Sequence, residues 1–176
     1  MSTTEETRWY ALKVFYHKTL ALEKDLAAQG VATYVAKRPV ERILRGKKLI
    51  EFRPLIASLL FLRCTAKWLK DYKFAHNDRF LYYEDFATHE PAPIDEVQMR
   101  SFIILTAPDH ATQVEYLGES VPQFKRGEHV RVTDGIYKGA EGYIRKVRSD
   151  RKLVVEVKGV AVIAVSYISP AFLEKI

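Results

Sequence analysis

The sequence predicts an α+β fold, an antiparallel sheet with helices packed on it, followed by a small and almost entirely β second domain. Three observations carry this. Over residues 8–107, runs of aromatic and β-branched residues alternate with segments of helical period. Residues 108–123 contain Pro108, Gly118 and Pro122 and show only weak periodicity, as a linker would. From residue 124 onward the chain is dominated by strand formers, among them Val130, Val132, Ile144, Val147, Val154, Val157, Val162 and Val165.

The elements follow in order. Residues 8–16, RWYALKVFY, read as a strand. Residues 18–29 read as a helix with Leu22 and Leu26 on one face and Gly30 at its end. Residues 31–40 return to a strand pattern. Residues 42–53, RILRGKKLIEFR, predict a hairpin turning at Gly46 and Lys47. Residues 58–64, SLLFLRC, form a strongly apolar central strand, and residues 65–73 a short helix carrying Trp68 and Leu69. Residues 80–83, FLYY, are a further strand. After Pro91 and Pro93, Asp95 is a good N-cap with Gln98 three residues on, as in a capping box. The helix over 96–105 is expected to turn Val97, Phe102 and Ile103 to the core.

Composition limits the function classes. Lys and Arg number 28 against 22 Asp and Glu, a net charge of +6. Residues 124–176 carry 11 basic and 6 acidic side chains, and residues 37–53 carry seven and two. Such local excess favours an anionic partner such as nucleic acid. The single cysteine, Cys64, excludes an internal disulfide. The polar amino terminus is not a signal peptide, and the apolar run at 55–62 is too short to span a membrane, so a cytoplasmic protein is expected. The five histidines are scattered with no i, i+4 pair, and no phosphate-binding glycine loop precedes a helix. Glu84, Asp85 and His89 are read as solvated loop residues rather than metal ligands. Neither catalysis nor a cofactor or metal is expected.

The segment 124–147, FKRGEHVRVTDGIYKGAEGYIRKV, holds Gly127, Gly135, Gly139 and Gly142, half of the eight glycines in the chain. Its alternation sends Val130 and Val132 inward and Arg131 outward, and Tyr143 and Ile144 resume the apolar pattern before Arg145 and Lys146. This spacing resembles the KOW motif of small SH3-like β-barrels in NusG-type transcription factors and some ribosomal proteins. Upstream, Trp9 and Tyr10, then Arg53 and Pro54 before the apolar strand, then Pro91 to Ile94, resemble the NusG amino-terminal domain in the right order. The wording PLIASLLFLR is most similar to UpxY-type antiterminators of capsular polysaccharide operons. The resemblance implies residues 8–107 as a polymerase-binding domain, 108–123 as linker and 124–176 as a KOW domain.

It also implies a function: transcription antitermination or elongation through binding of RNA polymerase, with suppressed pausing or termination on a particular operon. In the family, a hydrophobic depression on the first domain receives the clamp tip of the polymerase. By alignment, Leu59, Phe61, Phe80 and Tyr83 supply it here. Leu59 stands where many relatives have tyrosine, and Leu55 where many have glycine. A second polymerase contact made by some members has no clear counterpart near Lys70 and Asp71. Tyr16, His17 and Lys18 occupy the strand-to-helix turn where relatives meet DNA, and Arg45, Lys47 and Lys48 lie on a hairpin placed to meet nucleic acid. The KOW domain is expected to recruit a further partner: RNA, a ribosomal protein or termination machinery. The alternative reading is a ribosome-associated RNA-binding protein. Residues 153–168 are too β-branched to refold as helices, as the second domain of one specialised branch does.

Overall fold

The computed structural model of the chain describes residues 5–109, 113–120, 127–166 and 168–176. It divides into two compact units, Met1–Val35 with Ile56–Ile94, and Ala36–Leu55 with Asp95–Ile176.

The first unit contains β1 (Arg8–Val14), α1 (Thr19–Ala28), β2 (Ala32–Tyr34), β5 (Leu59–Cys64), α2 (Ala66–Ala75) and β6 (Phe80–Tyr82). Its sheet runs β2-β5-β1-β6, with every pairing antiparallel. The register pairs Leu12 with Leu60, Tyr10 with Leu62 and Val14 with Phe80, so these side chains share one face. That face meets Leu22 and Leu26 of α1 and Leu69 and Tyr72 of α2 in one buried cluster. Tyr72 extends it by stacking between Trp68, at 4.8 Å, and Phe80, at 5.7 Å.

Local chemistry sets the helix ends. Gly30 adopts φ +76° beyond α1, where Val31 N–H donates to the Leu26 carbonyl and Gly30 N–H to that of Ala27. This double closure needs a left-handed residue, which glycine supplies without a Cβ penalty. At α2, the Thr65 hydroxyl accepts from Trp68 N–H at 3.1 Å. The strand expected over 31–40 is broken. Val35 and Ala36 are buried between β2 and the start of the next strand.

The second unit holds a separate two-stranded ribbon, β3 (Lys37–Leu44) with β4 (Lys47–Pro54). Its turn lies at Arg45 and Gly46, one residue earlier than expected. Both have positive φ, +51° and +77°, and Leu44 pairs with Lys47. A two-residue loop with two left-handed positions matches strand twist best. The unit also contains α3 (Glu96–Thr106) and a six-stranded antiparallel sheet in the order β12-β8-β9-β10-β11-β7. These strands are β7 (Val114–Gly118), β8 (Glu128–Val132), β9 (Glu141–Val147), β10 (Asp150–Val157), β11 (Ala161–Val165) and β12 (Leu173–Lys175). Among the described residues the sheet is open, with β12 and β7 at its edges, so their hydrogen bonding does not close a barrel. Residues assigned to the linker supply β7. Residues 110–112, 121–126 and 167 lie outside the described residues, so Phe124 and Lys125 are among those not described.

Asp95 caps α3 as expected, one carboxylate oxygen accepting from both Val97 and Gln98 N–H at 2.9 Å. Gln98 does not complete a capping box. Its side-chain oxygen accepts instead from Lys158 N–H at 3.0 Å. The Ser101 hydroxyl accepts from Glu141 N–H at 2.9 Å, a second tie between α3 and the sheet. The buried face of α3 is Met99, Ser101, Phe102, Leu105 and Thr106, while Val97 and Ile103 are half-buried. At Gly142 a Cβ would lie 2.5 Å from the Val154 carbonyl oxygen, so the close approach of β9 and β10 requires glycine there. Residues 153–157 lie in β10 and 161–165 in β11, as their β-branched content predicts.

Candidate functional site

The sheet of the first unit has a second face, opposite its two-helix core. Register places Ala11 beside Phe61, Lys13 beside both Leu59 and Leu81, and Tyr34 beside Phe61. Alternation from Leu81 brings Tyr83 to the same side. Its backbone N–H donates to the Ala11 carbonyl at 3.0 Å, which keeps it on the edge of β1. The four residues expected to form one apolar patch therefore do not share a face. Leu59, Phe61 and Tyr83 belong to this face, whereas Phe80 pairs with Val14 and is fully buried in the helix-covered core.

Exposure sharpens the distinction. Phe61 is 1% exposed and Leu59 5%, so neither is open to a partner in this conformation. Tyr83 is half-buried, and Leu81, which is not among the expected site residues, is 50% exposed. Period-two alternation through residues 80–83 is the signal in the sequence that points to Leu81. At the rim of the face, Arg63 lies 6.0 Å from the Trp9 ring centroid, a cation–π contact.

Tyr16, His17 and Lys18 form the tight turn between β1 and α1. Tyr16 and His17 both adopt left-handed φ, +57° and +55°, and Tyr16 is 81% exposed. Two consecutive non-glycine residues in that region are strained, and strain of this kind gathers at functional sites. The turn is held by its surroundings. Val14 N–H donates to the Ser58 carbonyl, Phe15 N–H to that of Arg79, and the buried Thr19 hydroxyl to that of Ala57 at 2.6 Å. The result presents an aromatic ring, an imidazole and an ammonium to solvent on a fixed frame.

Arg45, Lys47 and Lys48 lie at the tip of the ribbon in the other unit, all exposed. Lys48 stands 3.9 Å from Glu41, a weak surface pairing. The ribbon has two characters. Pro39, Ile43, Ile50 and Phe52 share one side, and Ile43 and Ile50 are 72% and 66% exposed. Arg38, Arg42, Arg53 and Lys47 share the other. There Glu51 bonds Arg42 at 2.8 Å and Arg53 at 3.3 Å, and these guanidinium hydrogen bonds hold its carboxyl below the usual range. Two of these arginines, Arg42 and Arg53, share the Glu51 carboxylate, and Arg38 and Lys47 stand on the same side.

Other candidates take structural roles. Cys64 is buried, and desolvation pushes its thiol up to about 12, which leaves no thiolate for chemistry. Asp85 accepts from Ala87 and Thr88 N–H, and these backbone bonds hold its carboxyl low. His89 reaches Glu84 at 3.2 Å. Among the described residues no group of three or more His, Cys, Asp or Glu is placed to hold a metal, and no helix is long and apolar enough to cross a membrane.

Comparison with curated proteins finds no match. A solved structure of Thermotoga maritima NusG, determined in work on its domain interaction, aligns with a TM-score of 0.50 and 17% identity. It covers 97% of this chain and 98% of that one, a likeness that speaks for the fold. The family described as transcription termination factor NusG matches residues 7–103, which include both faces of the first sheet, the strained turn and the ribbon. The chain belongs to the NusG family of transcription factors.

Proposed function

We propose that this chain is a transcription antitermination and elongation factor that docks on the clamp of RNA polymerase in the cytoplasm. The docking face is the side of the first sheet that carries Leu59, Phe61, Leu81 and Tyr83. The observation that carries this reading is the family match over residues 7–103, which encloses that face. Apolar residues collected on a sheet face away from its own core suit a partner site, and aromatic side chains dominate such interfaces. Because Phe61 is 1% exposed, docking uses a conformation in which it is uncovered. Tyr16, His17, Lys18 and the basic ribbon then meet nucleic acid of the elongation complex, through salt-sensitive backbone contacts. The factor favours the elongating state by binding it more tightly than the paused one.

The second sheet is read as a KOW module of SH3-like type that recruits RNA, a ribosomal protein or termination machinery. The glycine spacing at 127–142 and the excess of basic residues support this. The wording of residues 54–63 supports a UpxY-type factor dedicated to a polysaccharide operon. First place of its gene in such an operon is the expected genomic setting.

The test is transcription by purified polymerase through a pause site and a terminator. Added protein should raise read-through, and Leu81→Asp should abolish the effect while leaving the circular dichroism spectrum unchanged. Unaltered read-through by Leu81→Asp would remove this face from the proposal. Co-sedimentation with ribosomes in polymerase-free extract, without any effect on read-through, would favour the ribosomal reading.

A further inference from the structure

We propose that a cavity between α3 and the second sheet is a nucleotide-binding site. The cavity has a volume of about 420 Å³ and is lined by His129, Tyr143, Arg145, Glu156 and Lys158, with Gln98 of α3 on its other wall. That size suits a single nucleotide. Such a site is independent of polymerase binding.

Arg145 is the decisive residue. It is buried at 9% exposure, and its Nε has no hydrogen-bond partner among the described residues. A buried guanidinium N–H left without an acceptor is costly, so such a group calls for a ligand oxygen or an ordered water. The guanidinium lies 5.1 Å from the Tyr143 ring centroid, which holds it in place but gives Nε no acceptor. Tyr143 in turn stacks on His129 at 4.8 Å with rings 21° apart. His129 is exposed, which leaves its ring as the platform for a base. One ladder therefore offers a stacking surface at one end and an anion donor at the other, the two requirements of a nucleotide.

The acidic groups in the wall do not oppose this. Glu141 is held by Arg131 at 2.9 Å, with Arg100 at 4.0 Å. Asp95 accepts two backbone N–H groups at the start of α3. Glu156 remains to accept from the amino or imino N–H of a base edge, and Lys158 to support Arg145 at the phosphate.

The same chemistry is offered by a free nucleotide and by one unpaired nucleotide of a single-stranded RNA. The experiment titrates the full-length protein with GMP, with a single-stranded hexaribonucleotide and with inorganic phosphate. It follows the Arg145 Nε–H signal by ¹H–¹⁵N NMR and affinity by calorimetry. Saturable movement of that signal by GMP or by the hexanucleotide is expected, and whichever binds more tightly identifies the source. His129→Ala and Lys158→Gln, both at exposed positions, should each weaken binding by about tenfold with the fold intact. Arg145→Lys should fold and lose binding. No movement at about 1 mM ligand, equal binding of inorganic phosphate, or unchanged affinity in His129→Ala would each overturn the proposal.

Discussion

Phe80 and Leu81 are neighbours in sequence with opposite duties. Phe80 faces the helices, fully buried against Val14 and Tyr72, while Leu81 stands 50% exposed on the other side of the sheet. Phe80→Ala is expected to cost about 3–5 kcal/mol of stability, read from the denaturant midpoint, as for any buried aromatic truncated in a tight core. Leu81→Ala should change stability by less than about 0.5 kcal/mol, yet weaken the proposed polymerase docking. Cys64 adds a pH effect. Its ordinary value of 9.0 rises to about 12 on burial, so the unfolded chain ionises first as pH rises. The unfolded state then binds fewer protons than the native one, and this group's contribution is lost progressively between those values. Native protein should resist a thiol reagent at pH 8 and react fully in denaturant, whereas rapid labelling of the folded state would contradict the burial.

At the scale of elements, alternation made much of the first sheet legible. It separated Leu59 and Phe61 from Leu60 and Leu62, and the register with Ala11 and Leu12 does the same. It did not reveal which face the helices cover, because all four side chains are apolar and all four are buried. Nor did it show that Phe80 belongs with Leu60. Cross-strand pairing is a non-local fact, and a three-residue strand carries too little pattern to fix its face. The ribbon was legible as a hairpin from its glycine, but the turn sits at Arg45 and Gly46 because both must be left-handed. None of the residues in β3 or β4 is buried, so the ribbon gains little from packing. A lone two-stranded ribbon is marginal in water. Its amides should exchange with deuterium well before those of β1 and β5, and equal protection would mean that another surface covers it. In an elongation complex, replacing Arg45, Lys47 and Lys48 by glutamine should flatten the dependence of log affinity on log salt. The expected change in slope is about 0.9 for each phosphate that is no longer neutralised.

At the scale of the whole molecule, the burial of Phe61 sets a kinetic signature for docking. A partner that needs Phe61 exposed binds only the fraction of molecules in which it is uncovered, so the apparent affinity falls by that fraction. Where uncovering precedes binding and is slow, the observed association rate must reach a plateau as clamp concentration rises, at a value set by the opening step. Where the face is already open, the rate climbs linearly with concentration. Stopped-flow mixing of the full-length protein with a purified clamp fragment separates these cases. An independent readout uses Phe61→Cys in a Cys64→Ser background. Its labelling by a thiol reagent should be slow in the free protein, proceed only during opening, and be suppressed when the clamp is bound. A linear association rate together with fast labelling would mean that the face is open in solution. The 1% exposure of Phe61 would then not describe the docking-competent molecule.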